Sequence, residues 1–595
     1  MRRSLTALLL SLLILSVAAC AAPSAAPLAT AVPLATSAPT LTVAPAAPAA
    51  TVAPTLSADQ ALFATLAAAP SPTPQPTMVG PTAMPTITLG PTRPGAPLAD
   101  AWQGRACYEI FVRSFFDSDG DGVGDYAGMT QQLDYIEELG ARCIWLMPVT
   151  EGFSYHGYDV TDFYAVEQDF GSADDFRAFV AAAQQRDIKV IVDLVFNHTS
   201  AQHPWFLAAS KDTQSPERAR YIFAPSDPGY RGPWGDTAWH RSAAGDYYYG
   251  VFWEGMPDLD YRNSANLAYA KEVMDFWLND LGVDGFRLDA VKHFVENGRD
   301  QENTRETYAL LRDLGDYVRA AKPGAFTVGE VFGGGPSVLG AYYPDQLDSY
   351  FTFGLSDGIL NSARSGRAGD FNTALRAVLE TYPAGRFAPF LTNHDQERTM
   401  TRLGGDLGRA RAAAFALLML PGTPFIYYGE ELGMTGAKPD ERLRTPMQWA
   451  PGTGAGFTTG NAWQAPQSDA ATVNVAAQDA DPDSLLNTYR ALLALRNGDP
   501  TLQRGTTVQL AASDPALAAF VRQEGDILRL VVINFGAAEV SGATLSGMLP
   551  PGEYTVRALY GTAAAAPLSS DGTVAGYPLP PLAPFGGYVW ALAIP

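Results

Sequence analysis

The chain has 595 residues, 47% of them hydrophobic, with 62 Asp and Glu against 40 Lys and Arg and a net charge of −22. That is enough apolar material for a large core plus smaller attached domains, and it argues against a disordered chain. The acidity speaks against nucleic acid and anionic membrane surfaces as partners, because both would be repelled.

Arg2 and Arg3 precede an apolar run from Ala7 to Ala19, too short to span a bilayer comfortably but suited to the core of a signal peptide. The run ends in Val17-Ala18-Ala19-Cys20, which resembles a bacterial lipobox, where the cysteine is lipidated and becomes the mature N-terminus. Residues 1–20 are therefore expected to be a lipoprotein signal peptide with Cys20 as anchor, and the protein to be extracellular, held on the cell surface or secreted. No other membrane contact is expected, and the chain is read as a monomer. Residues 21–100 hold mostly Ala, Pro, Thr, Ser, Val and Leu. Such a stretch cannot bury a core, and its prolines favour extended backbone, so it is read as a disordered tether.

From 101 to 500 short β-rich apolar runs alternate with amphipathic helical segments, the pattern of a parallel α/β sheet. The expected strands are Tyr108–Val112, Cys143–Met147, Lys189–Val195, Gly285–Asp289, Phe326–Gly329, Ser349–Phe353, Phe387–Leu391 and Phe425–Tyr428. Eight of them predict a (β/α)8 TIM barrel. Cys107 and Cys143 fall in the first two runs and are expected to be buried free thiols, with a disulfide as the alternative in an oxidising exterior. Between the third and fourth strands, residues 197–261 are rich in Trp, Tyr, Gly and Pro and read as an inserted lobe over the barrel mouth. Residues 501–595 alternate short strands with Gly and Pro turns, which predicts a C-terminal all-β domain, a sandwich.

Function in such a barrel belongs where the strands end, because loops at their C-terminal ends build the catalytic face. There the third run delivers Asp193, Asn197 and His198; the fourth Arg287, Asp289, Lys292 and His293; the fifth Glu330; the seventh Asn393, His394 and Asp395. Singly, Asp289 reads equally well as an ion-pair partner of Arg287, and His198 as a satisfied core histidine. As four ordered segments they resemble the signature motifs of the α-amylase superfamily of glycoside hydrolases, and the resemblance runs from about Ala101 to the C-terminus. It implies a retaining glycosidase that takes α-glucan polysaccharides or oligosaccharides, with Asp289 as nucleophile, Glu330 as acid/base and Asp395 as the group that holds the sugar hydroxyls. Retention needs two carboxyl groups about 5–5.5 Å apart, one of them kept protonated near neutrality. Arg287, two residues before Asp289 on the same strand face, can pair with it. His198 and His394 would bond hydroxyls of the same sugar, and Tyr158 would stack on its face. Asp193 is read as structural.

After the first strand, Asp117, Asp119, Asp121 and Asp125 alternate with glycines, a hard-oxygen loop suited to Ca²⁺ with the Val123 carbonyl as a further ligand. The loop is familiar in oligo-1,6-glucosidase-like relatives. The same resemblance raises a second calcium at Asn197, without identifying its other ligands. Met256-Pro257-Asp258-Leu259-Asp260 resembles the Met-Pro-Asp-Leu-Asn stretch of a subgroup between neopullulanases and oligo-1,6-glucosidases, from which Asp260 departs. Exo-acting relatives carry Asp-Asn before the Gly-Tyr where this chain has Tyr155-His156, so an open cleft and endo-action on α-1,4 bonds are expected. Lys292-His293 resembles the α-amylase pair on the leaving-group side. An exo-α-glucosidase, a cyclomaltodextrinase or neopullulanase, and a non-catalytic glycan-binding lipoprotein remain the alternatives.

Overall fold

The computed structural model describes residues 95–561 and 565–594. Cys20, the expected signal peptide and all but the last residues of the expected tether lie outside them. Seven parallel strands form one sheet, whose in-register neighbours run from Ser349–Tyr350 through Phe326–Gly329, Gly285–Leu288, Lys189–Leu194, Cys143–Leu146 and Cys107–Ile110 to Phe425–Tyr427. The side chains of these strands are nearly all buried, because helices cover the outer face and packed side chains fill the inner one, and this makes the runs mostly apolar, with Glu109, Asp193 and Arg287 as buried charged exceptions. The eighth staved position is the expected run at 387–391, which pairs only through parallel bridges from Ala388 to Phe351 and from Phe390 to Phe425. Pro389 has no N–H to give to the ladder, so the segment closes the barrel without becoming a regular strand.

Helices pack on the outside by their apolar stripes. Arg305–Ala321 buries Leu310, Leu311, Leu314 and Val318, and the Thr304 hydroxyl caps its start by accepting from the Thr307 N–H. After the second strand a hairpin not anticipated from the sequence, Thr150–Gly152 with Val160–Val166, carries Tyr155 to Tyr158 to the barrel mouth. The inserted lobe holds the helix Pro204–Lys211 and a three-stranded sheet of Phe223–Ala224, Tyr247–Tyr249 and Trp239–Arg241. A small core of Ala238, Trp239, Tyr249 and Val251 supports it, and bridges from His198 to Asp258 and from Tyr221 to Leu259 pair its last residues with earlier parts of the lobe. Beyond the barrel, eight antiparallel strands from Thr506 to Ala593 form the C-terminal β domain.

One expectation is corrected here. Cys107 and Cys143 are not free thiols but a disulfide. Parallel register sets Cys107 directly opposite Cys143 on neighbouring strands, with both side chains in the same buried cluster and the Cα atoms 4.2 Å apart. At that separation a disulfide joins the two strands without any backbone movement.

Candidate active site

The loops after the third, fourth and fifth strands and after residues 387–391 converge on one cavity of about 480 Å³. At its floor Arg287 is fully buried, and its guanidinium organises three carboxyl groups. Nη1 donates to Asp193 Oδ1 at 2.7 Å and to Asp289 Oδ1 at 2.6 Å, while Nη2 donates to Glu330 Oε2 at 2.8 Å. Asp289 and Glu330 thus sit on the two prongs of one planar fork. Directly after Asp289 the backbone turns through Ala290 at a φ of 46°, a left-handed conformation costly for a residue with a Cβ. This turn brings the Ala290 N–H within 3.4 Å of Glu330 Oε2.

One cation cannot neutralise three buried carboxyls. Burial, with the nearby Asp289 and Asp395 charges, pushes the Glu330 carboxyl up to about 7 against the opposing pull of Arg287 and His394. Glu330 is therefore poised to carry a proton near neutrality. Asp193, also raised by burial, accepts bonds from Arg287 and from the Tyr158 hydroxyl at 3.0 Å, which is the structural role expected of it.

Asp395 has a different setting. About half of its side chain (48%) opens into the cavity, and it is flanked by His394 Nε2 at 3.2 Å and Arg444 Nη2 at 2.9 Å. These charges outweigh burial and hold its carboxyl well below the usual range. Burial alone would lower His394, but Asp395 and Glu109 raise it to about 10, so it is an imidazolium, with Nδ1 2.6 Å from Glu109 Oε1. The Tyr158 ring stacks on His394 at 5.4 Å, and its hydroxyl lies 2.6 Å from Nε2.

His198 and His293 are neutral, kept so by burial. His198 Nε2 donates to the Tyr158 carbonyl at 3.0 Å. His293 Nδ1 donates to the Gln301 carbonyl at 2.9 Å, which leaves Nε2 as a bare acceptor beside the cavity. Lys292 lines the same wall, 2.7 Å from Glu302. All nine residues read from the sequence as catalytic or substrate-binding thus come together around Arg287 and the cavity.

Among the residues of the site that were not read from the sequence, two set the charge of His394 and Asp395. Glu109, on the first strand, charges His394; a lone acid in a buried apolar strand was the available signal. Arg444 clamps Asp395 and also donates to the Tyr155 hydroxyl at 3.2 Å and the His394 carbonyl at 3.1 Å. Nothing in its surrounding sequence points to the cavity. Tyr155 does not offer its face to a sugar: it stacks on Trp463 at 5.3 Å and meets Phe111 edge-on, so the neighbouring His156 is the residue of that pair that lines the cavity. At the mouth, Trp234 from the inserted lobe and Phe332 after the fifth strand are half-exposed, at 46% and 50%.

Away from the cavity, one carboxylate oxygen each of Asp117, Asp119 and Asp125 lie within 4.8 Å of one another. Asp121 stands outside this trio and accepts from the Val123 N–H at 2.7 Å. At the base of the inserted lobe, Asn197 Nδ2 donates to Asp258 Oδ2 at 3.0 Å, and Asn197 Oδ1 is buried without a partner. Glu296 shares this pocket, its carboxyl driven up by burial and by Asp258. Asn197, Asp258 and Glu296 are thus a second set of hard oxygen donors.

The family description "Alpha amylase, catalytic domain" matches residues 109–505. Alpha-amylase 3 of Dictyoglomus thermophilum is 37% identical over 438 residues, which covers 73% of this chain and 85% of that protein. Oligo-1,6-glucosidase of Parageobacillus thermoglucosidasius is 31% identical over 511 residues, 73% of this chain and 90% of its own length. The crystal structure of an alpha-amylase from H. orenii superposes with a TM-score of 0.73 at 36% identity, covering 82% of this chain and all of the other. With its barrel, its strand-end carboxyl groups and these relatives, the chain belongs to the α-amylase family and is a glycoside hydrolase.

Proposed function

We propose that the enzyme cuts internal α-1,4-glucosidic bonds of starch-like glucans with retention. The observation that carries the chemistry is the Arg287 fork, which presents Asp289 and Glu330, its carboxyl pushed up to about 7 chiefly by burial, side by side under one cavity. Asp289 attacks the anomeric carbon as the bond to the leaving oxygen breaks, and Glu330 gives that oxygen its proton. Water then adds to the anomeric carbon, loses a proton to Glu330 and displaces Asp289. Asp395, kept ionised by His394 and Arg444, accepts sugar hydroxyls, and Tyr158 and His198 pack on the same ring.

Support for endo-action comes from the cavity mouth, where Trp234 and Phe332 stand as half-exposed walls between which a chain can continue. A second reading, exo-action, draws on Arg444 and Asp440, which line the cavity beside Asp395 and can close one end, and on the oligo-1,6-glucosidase relative. Soluble starch decides between them. Endo-action predicts that iodine colour falls much faster than reducing sugar accumulates, with maltose and maltotriose as main products; glucose alone from the first time points identifies an exo-enzyme. Asp289→Asn should cost at least roughly 10³-fold in kcat while the protein stays folded, and near wild-type activity would reject the mechanism.

We also propose that Asp117, Asp119 and Asp125 hold Ca²⁺, with Asp121 and the Val123 carbonyl completing the shell on small loop adjustments. Cys20 is proposed as the lipidated residue that keeps the enzyme at the cell surface.

A further inference from the structure

Behind the cavity wall formed by Lys292 and His293, a loop over residues 297–304 makes contacts that the bond-cleaving chemistry above does not use. Three successive residues of this loop hold the wall. The Gln301 carbonyl accepts from His293 Nδ1 at 2.9 Å, Glu302 pairs with Lys292 Nζ at 2.7 Å, and the Asn303 N–H donates to the Lys292 carbonyl at 2.8 Å. Gln301 also reaches the other way, into the inserted lobe. Its Oε1 accepts from the Tyr249 hydroxyl at 2.8 Å, and its Nε2 donates to the Arg231 carbonyl at 2.9 Å. Tyr249 belongs to the small core of the lobe. Arg231 opens the turn, closed by the Arg231–Thr237 bridge, that carries Trp234 to within 5.2 Å of the His293 ring. One half-buried glutamine thus joins two parts of the lobe to the imidazole.

The consequence is a choice of tautomer. His293 is neutral, and a neutral imidazole carries one ring proton, whose place is set by the hydrogen bond the ring makes. A carbonyl only accepts, so the bond to Gln301 puts the proton on Nδ1 and leaves Nε2 as an acceptor. In water the opposite tautomer is the more stable one, so the protein imposes this choice. His293 lines the cavity, and its Nε2 is buried without a protein partner. A buried acceptor left unpaired costs free energy, which a donor from the substrate recovers. The short helix Val291–His293 sets this acceptor on the side of the acid, because the Val291 N–H donates to the Glu330 carbonyl at 3.2 Å. A sugar meeting it there lies beyond the bond that Glu330 protonates. We propose that Gln301 is a positioning residue, which fastens its loop to the inserted lobe and, through its main-chain carbonyl, keeps His293 Nε2 free to accept a hydroxyl of the sugar on the leaving side of the scissile bond.

The proposal rests on the glycosidase chemistry proposed for this cavity but not on endo-action, so it is tested by spectroscopy as well as by turnover. Wild type, Gln301→Leu and Tyr249→Phe are prepared with isotopically labelled histidine, and the ring-nitrogen signals are recorded near neutrality. The chain has only six histidines, and the signal lost in His293→Gln assigns His293. In parallel, kcat/KM is measured on maltotetraose and on α-glucosyl fluoride, whose leaving group offers no hydroxyl. Wild type should show His293 protonated on Nδ1. Gln301→Leu should move the proton to Nε2 and lower the ratio of kcat/KM for maltotetraose to that for the fluoride roughly 5- to 20-fold. Tyr249→Phe, which spares the bond to Arg231, should shift both readouts less. A wild-type proton on Nε2, or a proton unmoved in Gln301→Leu, overturns the proposal. So does a moved proton with an unchanged ratio, because the substrate then makes no use of Nε2, and so does an equal loss on both substrates, which would make Gln301 a support of the lobe only. Should wild type release glucose alone from starch, the endo reading fails, while this comparison still decides the role of Gln301.

Discussion

Glu330 and Asp395 are both carboxyl groups facing one cavity, yet their surroundings drive them in opposite directions. Burial raises Glu330 to about 7, whereas the His394 and Arg444 charges keep Asp395 low. The acid must be protonated in the free enzyme, so kcat/KM should fall as pH rises through about 7; a profile flat to pH 9 would show that Glu330 does not supply the proton. Arg444 acts through Asp395 and is a positioning residue. Arg444→Met removes one charged hydrogen bond to Asp395 and should cost roughly 10- to 100-fold in kcat/KM, with partial recovery in Arg444→Lys. Equal activity of both variants with wild type would mean that His394 alone holds Asp395. Asp289, Glu330 and Asp395 were legible because each follows an apolar run; Arg444 was not, because it sits at the end of the short helix Asp440–Leu443, well past the end of the strand Phe425–Tyr427 and 49 residues beyond Asp395.

At the scale of elements, the buried parallel strands were readable as apolar runs, and their ends fell within a residue or two of expectation except at Ser349–Phe353, which ends at Tyr350 because the helix Phe353–Ser365 begins just beyond it. The run at 387–391 shrank to two bridges because Pro389 removes a donor, and the hairpin at 150–166 went unread because its first strand, Thr150–Gly152, is short and half-buried. The acidic loop was visible as spacing, but the fold sorts its members: Asp117, Asp119 and Asp125 converge, while Asp121 stands outside that trio and accepts from the Val123 N–H. A cation bound only by the folded loop stabilises it by mass action, so chelation should lower the melting temperature by several degrees. Asp119→Ala should have a lowered melting temperature that no longer responds to chelator. A wild-type melting temperature indifferent to strong chelators would remove the calcium reading.

The disulfide belongs to the whole molecule, because register alone determines it. Composition showed two cysteines in apolar runs, but only the pairing of the first two strands sets Cys107 opposite Cys143, and a register cannot be read from one sequence. The bond spans 36 residues, including the acidic loop and the first two helices, and closing such a loop removes unfolded-chain entropy worth on the order of 4 kcal/mol. It also needs an oxidising setting, which export with a lipidated Cys20 would supply. Both ideas meet in one count. The chain has three cysteines, so the mature protein, unfolded without reductant, should show no reactive thiol if Cys107 and Cys143 are joined and Cys20 carries lipid. One thiol would leave the disulfide standing and reject the anchor; three would reject both. Reductant should lower the melting temperature of wild type to that of the Cys107→Ala/Cys143→Ala double variant and leave the variant unmoved. A wild type that melts identically with and without reductant, once thiol titration has shown the bond to be open in the reduced sample, would mean that strand pairing and packing hold the barrel without it.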